Sequence, residues 1–132
     1  LLDLRAYQRV LYTNVHKKNI SSVKFNPVFN LVASSGDDGI ICLWNYNGKL
    51  SFKKKVKYPV KDLAFNPCGN LLGIVCQNGY IKVLDVEHKN FFNIYLFYPN
   101  SNIKFINVTV LVITFPDSVL TIDLEEYKKI MN

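Results

Sequence analysis

The feature that most narrows what this chain can fold into is a repeat forty residues long. Residues 23–27, 63–67 and 103–107 read VKFNP, LAFNP and IKFIN, so Phe25, Phe65 and Phe105 fall 40 residues apart. After the first two, the same events recur in the same order. The Asn26-Pro27 and Asn66-Pro67 turns lead into apolar runs at Leu31 and Leu71. Gly-containing tight turns follow at Asp38-Gly39 and Asn78-Gly79, then second apolar runs ending in Trp44-Asn45 and Leu84-Asp85. Self-similarity at such a period marks units that bury their apolar faces against one another.

The local chemistry predicts strands. Runs of four to seven β-branched and aromatic residues lie between the turn signals, as short strands require. Asp38-Gly39 and Asn78-Gly79 are expected to form two-residue hairpins, which need positive φ, and Asn47-Gly48 supplies a third. Each repeat therefore reads as four antiparallel strands, near residues 20–25, 31–35, 39–44 and 50–55 in the first. Ile40, Ile41, Leu43 and Trp44 stand almost contiguously rather than alternating with polar residues, as in sheets covered on both faces. Four-stranded sheets of that kind, repeated, are what the radially packed blades of a β-propeller need. Residues 124–130 fit either an amphipathic helix, with Leu124, Tyr127, Ile130 and Met131 on one face, or a turn followed by a strand. Position in the repeat favours the strand.

Residues 34–45, SSGDDGIICLWN, resemble the turn-and-strand signature of the WD40-repeat family, with Asn45 where that family usually carries Asp. His16 lies 28 residues before Trp44, where the family places the His of its Gly-His pair, although Val15 stands for the Gly. The resemblance implies an all-β fold, a fragment of a WD40-type β-propeller with four-stranded antiparallel blades. Residues 1–15 would end a preceding blade, with its strand d; residues 16–55 form the blade that carries the signature. Residues 56–97 form a degenerate blade, and residues 98–132 a divergent one whose completeness is open. Propellers close with four to eight blades, so three blades are expected to belong to a longer chain and not to be stable alone.

The same resemblance implies a hydrogen-bonded chain through His16, Ser34, Asp38 and Trp44. The chemistry is sound in itself: a buried indole needs an acceptor, and a hydroxyl can accept while an imidazole links it to a carboxylate. The repeat accounts for all three members of what would otherwise suggest a hydrolytic triad, so no catalytic residue is assigned. In the second repeat Leu84 replaces the Trp, Asn78 the Asp and Val56 the His.

In that family the d–a and b–c loops line one rim and commonly meet partners. The corresponding candidates are Asn19, Asp37, Lys57, Tyr58, Gln77, Tyr98 and Asn100. Lys53, Lys54, Lys55 and Lys57 form the densest charge run, a candidate basic patch. It is either a solvated outer strand blunted by Lys or a contact for an acidic partner or an RNA backbone. Residues 91–98, FFNIYLFY, fall in strand d, where packing between neighbouring blades is favoured over docking of a second protein. Asp3-Leu4-Arg5 resembles the Asp-x-Arg ending by which some WD40 proteins join a cullin-type ubiquitin ligase adaptor.

Composition excludes several classes. The longest apolar run, residues 108–115, is far short of the roughly 20 residues of a membrane span, and residues 1–10, with Asp3, Arg5 and Arg9, are not expected to act as a signal peptide. Cys42, Cys68 and Cys76 form no CxxC pair and are expected to be reduced thiols serving as small apolar side chains. That places the chain inside the cell, in cytoplasm or nucleus. The net charge of +6 rests on fourteen Lys and two Arg, whereas base and phosphate recognition favours Arg. No metal, cofactor or small-molecule site is expected. The expected function is a non-enzymatic scaffold that binds other proteins and the remaining blades of its own chain within a multi-protein complex. The alternative is an RNA-binding or ribonucleoprotein-assembly subunit using the Lys-rich surface. A substrate receptor of a cullin-type ligase is a minor third.

Overall fold

A computed structural model of the chain describes residues 15–97, 99 and 101–131. The apolar runs become strands, and the turns between them set three antiparallel sheets. The first sheet holds β1 (Ile20–Phe25), β2 (Leu31–Gly36), β3 (Ile40–Asn45) and β4 (Leu50–Lys55), paired in sequence order. The second repeats it with β5 (Val60–Phe65), β6 (Leu71–Cys76), β7 (Tyr80–Asp85) and β8 (Asn90–Phe97). Equivalent irregularities fall forty residues apart, at Ile20/Ser22 and Val60/Asp62. The third sheet has three strands, β9 (Asn102–Phe105), β10 (Val110–Thr114) and β11 (Val119–Asp123), followed by helix α1 (Leu124–Met131).

Two local expectations are corrected. The β2–β3 connection closes with Gly39 N–H donating to Gly36 O at 3.1 Å, so Asp37 and Asp38 are its central pair. Only Gly39, at φ 76°, is left-handed, and Gly79 at 89° repeats it. The connection is a turn followed by a left-handed glycine, not a two-residue hairpin. Residues 124–131 are helical rather than a fourth strand. Asp123 Oδ1 accepts from the backbone N–H of Glu125 at 3.0 Å and of Glu126 at 3.4 Å, a side-chain cap. The two glutamates of the first turn suit the positive end of the helix dipole, and Leu124, 2% exposed, anchors it in the core.

The sheets meet along their first two strands: β5 lies against β1 and β2, and β9 against β5 and β6. Towards β4 and β8 they fan apart, which is the blade arrangement of a propeller. The second sheet is thus covered on both faces. Ile74 and Val75, adjacent in β6 and both fully buried, lie in two different cores. One core joins Ile74, Leu63 and Leu84 to Ile41 and Leu43 of the first sheet. The other joins Val75, Val83 and Ile94 to Ile103, Leu111 and Ile113 of the third. Strand side chains alternate between faces, so a doubly covered strand must be apolar at both parities.

This geometry accounts for β8. Phe91 packs into the first core and Phe92 and Ile94 into the second, so the aromatic run fills the space between blades. Gly73 marks the closest approach of the third sheet: a Cβ there would stand 2.8 Å from Ile103 Cδ1 and 3.1 Å from Leu111 Cδ2. The free face of the first sheet is less covered, with Phe25 70% and Val23 49% exposed. Cys42 and Cys76 are buried, whereas Cys68 is exposed on the Asn66–Asn70 turn, against the expectation of a small core side chain.

Candidate functional site

The sequence brings two groups of residues to the β2–β3 end of the first two sheets. Ser34, 6% exposed, is the hub of the first. Trp44 Nε1–H donates to Ser34 Oγ at 2.9 Å, and His16 Nε2 lies 2.8 Å from the same oxygen. His16 Nδ1 stands 3.4 Å from Asp38 Oδ1. Asp38 also accepts from the backbone N–H groups of Ile40 at 3.0 Å and Lys17 at 2.9 Å. Gly36 leaves the space that this cluster needs: a Cβ there would sit 2.7 Å from Asp38 Oδ1 and 3.0 Å from His16 Nδ1. The chain of His16, Ser34, Asp38 and Trp44 is therefore in contact from end to end, with Asp38 held further by the Ile40 and Lys17 N–H groups.

Burial alone raises the pKa of Asp38, but the N–H groups of Ile40 and Lys17 and the His16 ring outweigh it and hold the carboxyl below its usual range. A carboxyl depressed in the folded state adds stability above its unfolded value of about 4 and loses it as pH falls through the lower folded value. Asp38→Asn is expected to cost about 1–2 kcal/mol at pH 7 by weakening charge-assisted hydrogen bonds. Its difference from the parent should narrow in thermal unfolding at pH 3. An unchanged difference at pH 3 would show that the charge of Asp38 is not what holds the turn.

The second group lies on the rim. Asp37 N–H donates to Asn19 O at 2.9 Å, and its counterpart Gln77 N–H donates to Pro59 O at 2.8 Å. Gln77 Nε2–H then donates to Asp37 Oδ1 at 2.8 Å and ties the two blades together. Asn19 and Gln77 are exposed and Asp37 is half-buried, so these three share one accessible edge, whereas Lys57 is exposed on the β4–β5 connection. Tyr58 is turned inward: half-buried, it packs against Tyr80 with ring centres 5.7 Å apart. Tyr98, Asn100 and Asp3-Leu4-Arg5 lie outside the described residues, as does the expected strand d of the preceding blade at residues 8–13. Lys53, Lys54 and Lys55 are all exposed on β4, with Lys57 just beyond.

Buried asparagines escaped the sequence reading. Asn66, fully buried, donates from Nδ2 to Val108 O at 2.9 Å across to the third sheet, and its Oδ1 accepts from Leu71 N–H at 3.0 Å. Asn26 does the same between the first two sheets, with Nδ2 donating to Gly69 O at 2.8 Å. Each clasp spans more than forty residues. The signal was their shared place before Pro, which registered only as a turn. In the third repeat that place is held by Ile106, 64% exposed.

Burial pushes the Cys76 thiol up to about 11 and raises that of Cys42, so neither is a ready nucleophile. Among the described residues no group of three His, Cys, Asp or Glu side chains could hold a metal, and no helix is long and apolar enough to cross a membrane.

Comparison with known proteins agrees with this architecture. Residues 23–115 match the family model described as the anaphase-promoting complex subunit 4 WD40 domain. The chain is 33% identical over 76 residues to the small ribosomal subunit protein RACK1 of Candida albicans, covering 57% of this chain and 24% of that protein. It is 32% identical over 57 residues to the mitotic checkpoint protein BUB3.1 of Arabidopsis thaliana, covering 42% of this chain and 17% of that protein. The chain thus spans a quarter or less of these curated relatives. Solved structures titled "Structure of U3-55K" and "Crystal structure of RRP9 WD40 repeats" superpose with TM-scores of 0.77 at 17% identity. Each covers 86% of this chain, which in turn covers 38% of each.

Proposed function

The chain belongs to the WD40-repeat β-propeller family, and from that premise we propose that it is a non-enzymatic scaffold holding other proteins in a multi-protein assembly. In this reading residues 16–55 and 56–97 are two full blades and residues 98–132 a divergent, incomplete one. The observation that carries the reading is the shared edge of Asn19, Asp37 and Gln77. These polar side chains are displayed by short loops and held in register by the Gln77–Asp37 hydrogen bond. Loops fixed on a rigid sheet scaffold are where binding residues concentrate. The cluster with a nucleophile-like look, Ser34 with His16, is instead engaged with Trp44. The matched relatives are named as a ribosomal subunit protein and a mitotic checkpoint protein, and the family model as a subunit of a complex. Two of these names, the ribosomal subunit protein and the complex subunit, point to assemblies.

A second reading, RNA binding within a ribonucleoprotein, rests on the exposed lysines of β4. Purification of the full-length protein in mild salt, with and without ribonuclease, separates the two. A set of proteins that survives ribonuclease and is lost in the Asp37→Lys/Gln77→Glu double variant supports the scaffold. Loss of the same set on ribonuclease treatment, with binding that falls steeply with salt, supports the RNA reading instead.

A further inference from the structure

We infer that the cleft between the outer strands of the first two blades is a docking groove for an acidic, extended peptide segment of a partner protein. The inference rests on the scaffold reading and names the chemistry of one of its contacts.

The cleft follows from the fan. Sheets that meet along their first strands must separate towards their last, and Phe52 and Phe91, 6.2 Å apart, close only part of the gap. Beside them lies an open groove of about 500 Å³ lined by Lys54, Lys55, Val56, Lys57, Lys82 and Phe91. The lining joins an apolar base to cationic walls: Val56 is 4% exposed and Phe91 half-buried.

These charges are held but not neutralised. Lys82 Nζ donates to Asn93 Oδ1 at 2.8 Å and lies 5.4 Å from the centre of the Tyr80 ring. Lys57 Nζ lies 5.5 Å from the centre of the Tyr58 ring. Both anchors are uncharged. Among the described residues the ion pairs are His16–Asp38 and His88–Asp85, and neither involves a lysine. Ammonium groups gathered around one open cleft without a counter-charge create a positive potential that carboxylates relieve. The Val56 and Phe91 surfaces favour apolar side chains between those carboxylates, and the volume suits a ligand of a few residues.

A peptide fits better than a nucleic acid for two reasons. The cations are Lys, point charges without the guanidinium fork that grips phosphate. The one aromatic ring in the groove, Phe91, is packed against Phe52 rather than offered as a platform on which a base stacks.

The test uses the full-length protein and a labelled peptide that alternates glutamate with leucine and phenylalanine. Its glutamine version and an oligouridylate serve as comparisons. Lys54→Glu/Lys57→Glu should weaken the glutamate peptide about tenfold or more, since two exposed attractions become repulsions. Lys49→Glu/Lys53→Glu carries the same charge change at lysines outside the groove lining and should leave binding within about twofold. Circular dichroism and thermal unfolding check that both doubles fold. Equal loss in the two doubles, equal binding of the glutamine peptide, or tighter binding of the oligouridylate overturns the groove. Protein partners that survive ribonuclease in the parent, together with any of those results, overturn the groove while the scaffold stands. Loss of those partners on ribonuclease treatment overturns the scaffold itself.

Discussion

Ile74→Ala is expected to lower stability by about 3 kcal/mol, the usual scale for truncating a fully buried isoleucine. Val75→Ala, the very next residue, should cost about 1–2 kcal/mol by the lost transfer and cavity terms of its smaller side chain. The pair is diagnostic because the two side chains point to opposite faces of β6 and lie in different cores. In a two-layer sandwich one of two neighbours would face water and be near-neutral on truncation. Val23→Ala, at a position 49% exposed, should change stability by less than about 0.5 kcal/mol. Urea unfolding of the full-length protein measures all three, read from the midpoint at constant slope. A near-zero effect at either Ile74 or Val75 would mean that the second sheet is covered on one face only.

Asn66→Ala is expected to cost about 1–3 kcal/mol, because it removes the hydrogen bonds that the fully buried Asn66 makes to the Leu71 N–H and the Val108 C=O. Asn66→Asp should be worse at neutral pH. The carboxylate keeps the acceptor for Leu71 N–H but faces Asn70 Oδ1 and Val108 O, which now meet a negative oxygen instead of a donor. Burial beside those oxygens raises the folded pKa of the introduced carboxyl. Its neutral form is therefore tolerated at low pH, and stability is lost as pH rises above the unfolded value of about 4. Thermal unfolding of the two variants from pH 3 to 7 checks the sign. A penalty for Asn66→Asp that is constant with pH would show that the site admits water.

Asn26 and Asn66 also show where sequence reasoning stopped. Their position before Pro announced a turn, and Asn26 Oδ1 does accept from the N–H groups of Val28 and Phe29 as a local turn should. What their Nδ2 groups do depends on carbonyls more than forty residues away. Tyr58 is similar. An aromatic beside Pro59 in a loop suits a rim contact, and only the arrival of Tyr80 from the next blade turns it inward.

The sequence by itself determined the strands of the first two repeats, the left-handed glycines between them and the grouping of His16, Ser34, Asp38 and Trp44. The first two depend on short-range chemistry, namely turn residues that tolerate positive φ and runs of β-branched side chains; the grouping is what the WD40 resemblance implies. Tertiary structure alone decided that the blades are clasped by buried asparagines. It alone decided, too, that Lys82 of the second blade joins Lys54 and Lys57 of the first around one cleft. The physical reason is the same in each case. Local pattern specifies which residues need cover, whereas the partner that supplies it is chosen by the packing of sheets forty residues apart.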